Sequence, residues 1–336
     1  EAAHRNYTAI FRHRPAAVAV DLHPNYRASR HGADIARDAG LPLFSIAHHH
    51  AHITATLAEA GWRRDAGPVI GIALDGLGMG ADGTLWGAEI LLCDYRHMRR
   101  LARLSPIPLP GGDAASREPF RVLLAHLDRA LGRDAVDAVA HLTDLFAGRP
   151  VATLRAMMDK SLNAPPASSA GRLFDAMAAL LALSPQRLSH EGEAAMALEA
   201  LAFAHGRETP DGAAPYPFAF RTGTDGLMEI DPAPLWRAAC ADLAAGRSLP
   251  AMASAFHRGL AEAFAVSAAD FARAEGVGTI ALGGGVFQNA VLLEETMARL
   301  QARGLAVLAP AEVPANDGGL ALGQAAIAAA RLMAGD

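Results

Sequence analysis

The chain has 336 residues, which at roughly 100–200 residues per domain indicates two domains or lobes. Its formal net charge of −5 at pH 7 argues against the basic surface of a nucleic-acid-binding protein. Lys160 is the single lysine among 30 basic residues, and no glycine-rich loop precedes it. A P-loop is therefore excluded, and a phosphate would have to be bound by glycines, helix ends, arginine or a metal.

The N-terminal segment and the cysteines indicate the setting of the protein. Residues 1–15 contain no apolar core of the signal-peptide type and are predicted to be a linker. No run of about 18 apolar residues occurs, so no transmembrane helix is predicted. The two cysteines, Cys93 and Cys240, carry no local signature of a nucleophile and are interpreted as structural. A reducing cytoplasm is the expected location.

Apolar runs and helical periodicities predict a mixed α/β chain. A basic stretch at 96–103 is interpreted as the exposed side of a strand or helix. The predicted elements, in chain order, are strands at 16–21, 41–47, 68–75 and 85–92, a helical region over 114–206 broken by prolines, a loop or crossing at 207–225, a helix over 249–275, a strand at 277–285, a helix over 288–302, a strand at 305–310 and a helix over 319–333.

One pattern occurs twice: a buried type of strand that ends in a glycine turn. The two copies read IALDGLG at 72–78 and IALGGGV at 280–286. No tandem repeat of 20–50 residues accompanies them, so a solenoid is not predicted. The duplication favours two related lobes that face one nucleotide.

Four histidines in five residues follow the second predicted strand, in HHHAH at 48–52. His48 and His52 are four residues apart, so on a helix they lie on one face and could bind one metal ion. The alternative is a polar helix start whose histidines only cap and pack. Asp75 ends the third predicted strand, and the carboxyl end of a parallel strand is where α/β proteins bind ligands.

The glycine turns admit two interpretations. Glycines at 76, 78, 80 and 83 would let backbone N–H groups approach a phosphate, but the same stretch also fits a β-hairpin turn. Gly283 to Gly285 precede a predicted helix whose free N–H groups could bind an anion. Tight packing of a strand against a helix would explain the second turn equally well.

Two aspartates near helix starts are also open to two interpretations. Asp317, before the last helix, is either an N-cap or a metal ligand beside the histidines and Asp75. Asp175, in SSAGRLFD at 168–175, either accepts hydrogen bonds from a ribose or favours the first turn of its helix.

Taken together, the ordered motifs resemble the C-terminal domain of the HypF family, the carbamoyltransferases of nickel–iron hydrogenase maturation. The resemblance runs from about residue 16 to the end. The motifs are VAVDLHPNYRASR (18–30), HHHAHITATLAEAG (48–61), ALDGLGMGADGTLWGAEILL (73–92), PLPGGDAASREPFR (108–121), SSAGRLFDAMAALL (168–181), EGEAAMALEALA (191–202), LGGGVFQNAVLLE (282–294) and PANDGGLALGQA (314–325).

The resemblance implies a fold and a set of site residues. The fold is the two-lobed sugar-kinase, heat-shock-chaperone and actin type, built from ribonuclease-H-like lobes with helical insertions. The expected lobes are 16–125, joined by the last helix at 317–336, and 126–316. The implied catalytic and metal-binding residues are His48, His52, Asp75 and Asp317, with Fe or Zn as the metal. The implied nucleotide-contacting residues are Gly76, Gly171, Asp175, Gly192, Gly284, Gly285 and Asn289.

The resemblance also implies a reaction. The carbamoyl group of carbamoyl-adenylate would pass to the C-terminal cysteine thiolate of a partner, HypE in the family, as a step in the synthesis of the cyanide ligands. ATP or the adenylate would be the nucleotide ligand. The domain that makes the adenylate, of the YrdC-like type, would lie N-terminal to residue 1.

Three alternatives stay open on the sequence alone. The acceptor could be a hydroxyl of a small molecule, or the chain could be a non-catalytic nucleotide-binding module that docks a partner. A tRNA acceptor, as in TsaD-type relatives, is disfavoured by the negative net charge.

Overall fold

The computed structural model describes residues 2–208 and 213–335. The strands are β1 (Val18–Asp21), β2 (Leu43–Ile46), β3 (Val69–Met79), β4 (Leu85–Cys93), β5 (Met98–Leu104), β6 (Ile107–Pro108), β7 (Pro166–Ser169), β8 (Ala219–Thr222), β9 (Met228–Asp231), β10 (Thr279–Gly283) and β11 (Ala306–Leu308). The α-helices are α1 (Ala2–Phe11), α2 (Arg27–Ala39), α3 (His48–Glu59), α4 (Pro119–Leu131), α5 (Arg133–Ala138), α6 (Ala140–Leu145), α7 (Val151–Asp159), α8 (Ala170–Leu180), α9 (Glu193–Glu208), α10 (Ala233–Ala244), α11 (Leu249–Glu275), α12 (Ala290–Ala302) and α13 (Leu320–Ala334).

Two sheets organise these elements. The large sheet has the order β11-β10-β3-β4-β5-β9-β8, and β7 also pairs with β4. In it β10 runs parallel to β3, whereas β4 pairs antiparallel with both β3 and β5. A separate parallel pair, β1 and β2, leads into α3. The mixed α/β class predicted from the sequence is confirmed.

The two glycine turns do not face each other from separate lobes, as the repeat had suggested. The first lies inside β3, where the pairing with β4 shifts, and the second follows β10, which pairs in parallel with β3 so that Ala73 lies opposite Gly283. Because the two strands run parallel, the two glycine stretches reach the same side of the sheet.

The middle of the chain is less uniform than its helical pattern predicts. The stretch from 114 to 206 contains a strand, β7, which pairs in parallel with β4, with Trp86 opposite Ser168. Proline at 165 and 166 favours extended backbone at that point. The predicted loop at 207–225 contains β8, which pairs with β9; its residues 209–212 lie outside the described part of the chain.

Buried helices position the site against the sheet. In α3 every residue from 48 to 57 is buried, and α13 packs against it so closely that a Cβ at Gly323 would collide with the Ala51 carbonyl. In α11, Phe256 and Phe264 are fully buried, which contributes about 1.5–3 kcal/mol each.

The predicted N-terminal linker and the predicted lobes can be compared with the structure. Residues 2–11 of the predicted linker form α1, none of whose residues is buried. The large sheet joins strands from both predicted lobes, and the division at 125 and 316 stays a prediction. None of the helices in the described ranges combines the length and the apolar character needed to cross a membrane.

Candidate metal and nucleotide site

The first turns of α3 place His48 and His52 on one face, opposite two carboxylates. The Nε2 atom of His48 lies 3.2 Å from Asp75 Oδ2 and 3.4 Å from Asp317 Oδ1. For His52 Nε2 the corresponding distances are 3.4 and 3.6 Å. One donor atom from each of the four residues lies within 4.8 Å of the other three. The structure thus brings together the whole predicted ligand set.

Two neighbouring groups place the carboxylates. Asp75 lies where the β3–β4 register shifts, and its Oδ1 accepts a hydrogen bond from Gly285 N at 3.1 Å. Asp317 is not the cap of its turn. Asn316 is the N-cap, because its Oδ1 accepts from Gly318 N at 2.9 Å. The carboxylate of Asp317 is therefore free to face the histidines.

Asp21 is a member of the site that the sequence analysis missed. Its Oδ2 lies 2.7 Å from His48 Nδ1, and its Oδ1 accepts from His23 N at 2.7 Å. A carboxylate on the far nitrogen of a ligating histidine fixes the tautomer and the ring orientation. The signal was present, because Asp21 follows an apolar run in the sequence just as Asp75 does.

The electrostatics of the cluster favour a cation. Burial opposes the charged form of His48, but Asp21, Asp317 and Asp75 outweigh it and raise the pKa of His48 to about 12. Burial likewise opposes ionisation of Asp75, yet the two histidines hold its pKa well below the ordinary value. Both Nε2 atoms lie 3.2 to 3.6 Å from the two carboxylates, yet neither makes a hydrogen bond of normal geometry with a described residue. Two imidazole nitrogens and two carboxylates that converge in this way suit a divalent transition metal.

A cavity of about 730 Å³ opens beside this cluster, with Asp75 and Asp317 in its wall. Gly284 does not line it, and the positive φ of +100° at Gly284 instead lets the turn pass the Leu74 carbonyl. The predicted nucleotide-contacting residues that line the cavity are Gly76, Gly171, Asp175, Gly192, Gly285 and Asn289. The sequence analysis missed Tyr26, Glu191, Glu199 and Asn316 in the same wall.

Close backbone approach explains the glycines at the floor of the cavity. A Cβ at Gly171 would lie 2.9 Å from Gly76 Cα, and one at Gly76 would lie 2.7 Å from Glu191 Oε1. The other glycines of the first turn have a different role. A Cβ at Gly78 would collide with the His48 ring, and one at Gly80 with Trp86. The hairpin interpretation of 76–83 is therefore correct, and of the four glycines in that stretch Gly76 alone lines the cavity.

Asp175 and Asn289 are both buried in the wall. Asp175 lies in the second turn of α8 rather than the first, and Ser169 caps that helix. Burial raises the pKa of Asp175 although Arg172 Nε lies 2.7 Å away. The Asn289 amide is already engaged, since its Oδ1 accepts from Leu292 N and its Nδ2 lies 3.0 Å from His257 Nε2.

The surroundings of the two cysteines and of the basic stretch make these residues unsuited to catalysis. Cys93 and Cys240 are buried, and burial raises the pKa of both thiols. Most of the basic stretch at 96–103 lies in β5, so the predicted strand is confirmed, but Arg100 and Arg103 are half-buried and not exposed as predicted. Its arginines pair with carboxylates, Arg100 with Glu89 at 2.6 Å and Arg103 with Glu229 at 2.7 Å.

An α/β fold of the sugar-kinase, heat-shock-chaperone and actin type, with a nucleotide-sized cavity beside two histidines and two aspartates, defines the Kae1-like class of domain. Family models match residues 1–59 as "HypF Kae1-like domain" and residues 71–324 as "Carbamoyltransferase, Kae1-like Domain, second subdomain". The chain belongs to the HypF carbamoyltransferase family.

Individual relatives agree with this assignment. Carbamoyltransferase HypF of Rhodobacter capsulatus is 48% identical over 330 residues, which are 98% of this chain and 41% of the relative. A Carbamoyltransferase HypF homolog of Cupriavidus necator is 40% identical, over 93% of this chain and 77% of the relative. A crystal structure of full-length HypF in the phosphate- and nucleotide-bound form has a TM-score of 0.85 and 32% identity, over 98% of this chain and 41% of that one. The chain thus spans about two fifths of several full-length relatives.

Proposed function

We propose that this chain carries out carbamoyl transfer, moving the carbamoyl group of carbamoyl-adenylate to the C-terminal cysteine thiolate of a HypE-like partner. One observation carries the proposal: His48, His52, Asp75 and Asp317 converge at the wall of a nucleotide-sized cavity, in a chain of the HypF family. The reaction belongs to nickel–iron hydrogenase maturation, in the synthesis of the cyanide ligands.

The adenylate binds in the cavity. Gly76, Gly171 and Gly285 let the nucleotide approach the backbone, and Asp175 is placed to accept hydrogen bonds from ribose hydroxyls. Support comes from the HypF relative that was crystallised with phosphate and nucleotide. The adenylate itself comes from a YrdC-like domain.

A divalent metal, Fe or Zn, is held by His48, His52, Asp75 and Asp317, while Asp21 orients the His48 ring. When bound, such a metal polarises a phosphate or carbamoyl oxygen as a Lewis acid. This assignment is supported by the Nε2 atoms of both histidines, which face the two carboxylates without a hydrogen bond of normal geometry to either.

In the transfer step the sulfur of the acceptor thiolate attacks the carbamoyl carbon. The bond from that carbon to the phosphate oxygen breaks, and AMP leaves with the electron pair. The thiol proton has been lost to solvent before attack. The chain contributes orientation and stabilisation of the phosphate charge, and no residue of its own forms a covalent bond. The buried, high-pKa cysteines fit that role.

The test is incubation of this chain with an acceptor peptide ending in cysteine, with ATP and carbamoyl phosphate, in the presence and absence of a YrdC-like domain. Mass spectrometry is expected to show a carbamoyl group in place of the thiol hydrogen only when the YrdC-like domain is present. A peptide ending in serine is the matched control. An adduct on a small-molecule hydroxyl, or nucleotide binding with no transfer to any acceptor, would overturn the proposal in favour of one of its alternatives.

A further inference from the structure

A second pocket, of about 510 Å³, adjoins the nucleotide cavity and shares Leu77, Arg172 and Glu191 with it. We call it the arginine pocket. Its remaining lining residues are Ser116, Arg117, Arg187, Leu188, Ser189 and His190. Ser116 and Arg117 belong to the motif at 108–121, which the proposed function leaves without a role.

The walls of the arginine pocket are tied together by the backbone. Leu188 N donates to the Arg117 carbonyl at 2.7 Å, so the loop at 187–190 is fixed to the segment before α4. Ser189 donates through its backbone N and its Oγ to Glu193 Oε2, at 2.6 and 2.9 Å, which anchors the same loop to α9. A ligand would therefore meet a largely preformed site.

The charged groups of the arginine pocket favour an anionic ligand. Arg172 is buried and already paired with Asp175. Arg117 and Arg187 are exposed, and no carboxylate in the described ranges lies within 4.0 Å of either guanidinium. Elsewhere half-buried arginines such as Arg100 and Arg155 are paired with carboxylates of the chain itself. Glu191 also lines the pocket, but it forms no ion pair with either arginine. Two guanidinium groups without a carboxylate partner are suited to binding a carboxylate of a ligand, which arginine holds through two parallel hydrogen bonds.

We propose that the arginine pocket binds the C-terminal carboxylate of the acceptor protein. This inference rests on the proposed function, which makes the acceptor residue a C-terminal cysteine. In such a residue only Cα and Cβ separate the sulfur from the carboxylate carbon. Binding the carboxylate beside Leu77 and Arg172 therefore holds the thiol at the junction with the cavity, and the attack becomes effectively intramolecular.

The test uses two short fluorescein-labelled peptides that end in cysteine, one with a free carboxylate and one with a C-terminal amide. Fluorescence anisotropy with the whole chain is expected to give about ten-fold tighter binding of the acid. The Arg117→Ala/Arg187→Ala double variant is expected to lose that preference and to keep its AMP affinity and melting temperature. Arg237→Ala, an exposed arginine of α10 outside both pockets, is the matched control.

The outcomes separate this inference from the proposed function. Equal binding of acid and amide, or no binding of either, overturns the carboxylate site even where carbamoylation proceeds. A loss of AMP affinity in the double variant, with peptide affinity unchanged, would also overturn it by assigning the pocket to a phosphate. Preference for the acid without any carbamoyl transfer upholds the site and overturns the proposed reaction.

Discussion

The carboxylate of Glu59 accepts a hydrogen bond from the backbone N–H of Val313 at 3.2 Å. The same oxygen accepts from the N–H groups of Ala311 and Glu312, and despite partial burial these donors lower the pKa of Glu59. Glu59 ends the helix that begins with His48. One helix therefore supplies both histidines and also holds the loop that leads to Asp317.

Glu59→Gln should weaken metal binding without unfolding the protein. The neutral amide is a poorer acceptor for three N–H groups, so the loop that carries Asp317 is less well fixed. We expect about a ten-fold rise in the Kd for Zn²⁺ or Fe²⁺ by isothermal titration calorimetry. Glu312→Gln, at an exposed side chain of the same loop, is the control. An unchanged Kd in Glu59→Gln would show that Asp317 is positioned independently.

Asp21→Asn should also weaken metal binding, for a different reason. The substitution removes the charge that lies 2.7 Å from His48 Nδ1 and leaves the ring without its orienting carboxylate. A loss of about 10–100-fold in metal affinity is expected, again by calorimetry. Asp38→Asn makes the same change on an exposed helix surface and should leave the Kd as it is. If Asp21→Asn bound the metal as tightly as the parent protein, Asp21 would have no role in the metal site.

His48→Ala with His52→Ala tests whether the metal takes part in transfer. The double variant should bind no stoichiometric metal, since half of the donor set is gone. Carbamoylation of a cysteine-terminated peptide should fall by at least about 100-fold. Metal content is read by mass spectrometry of the purified protein and transfer by peptide mass. Full transfer by a metal-free variant would refute a catalytic metal.

Gly171→Ala should damage the floor of the cavity. Its Cβ would lie 2.9 Å from Gly76 Cα, and the backbone at that point cannot easily move. We therefore expect the free energy of unfolding to fall by about 1–3 kcal/mol and AMP to bind more weakly. Gly206→Ala, in α9 with open space around its Cβ, is the control and should be neutral or stabilising by about 0.5–1 kcal/mol. Denaturant unfolding measures both. Equal stability of the two variants would contradict the close approach.

Acid should destabilise the fold through His126. Burial next to Trp236 lowers the pKa of His126 to about 3, whereas the unfolded chain binds the proton at about pH 6.5. Between those values the unfolded state holds more protons, so stability falls as pH falls. Protonation of His126 in the unfolded state lowers the free energy of unfolding by about 2 kcal/mol between pH 7 and pH 5. His126→Phe should unfold with a shallower pH dependence than the parent, and exposed His13→Phe should not. Parallel curves for parent and His126→Phe would be the contrary result.

Local signals account for what could be predicted from the sequence. Apolar runs predicted β1 to β4, and α11 was predicted over the residues it occupies. The spacing of His48 and His52 made a metal site one of two open interpretations, and the family resemblance added Asp75 and Asp317 to the ligand set. Each of these signals lies within a few neighbouring residues, where helix or strand periodicity alone decides the direction of the side chains.

The rest depends on long-range pairing. Strands β7, β8 and β9 are four residues each, and Ser168 becomes a strand residue because Trp86, far away in the chain, offers it a partner. The arginine pocket joins Arg117 to Arg187 across a helical region. Asp21 has a signal as strong as that of Asp75, but only the fold reveals that His48 Nδ1 lies beside it.

The pairing of Ala73 with Gly283 restricts how the nucleotide cavity can open. Two residues beyond this pair, Asp75 Oδ1 accepts a hydrogen bond of 3.1 Å from the backbone N–H of Gly285. A hinge cannot act between them without breaking the ladder of the sheet. We therefore expect any widening of the cavity that admits or releases a nucleotide to come from its other walls, which include α8 and the start of α9.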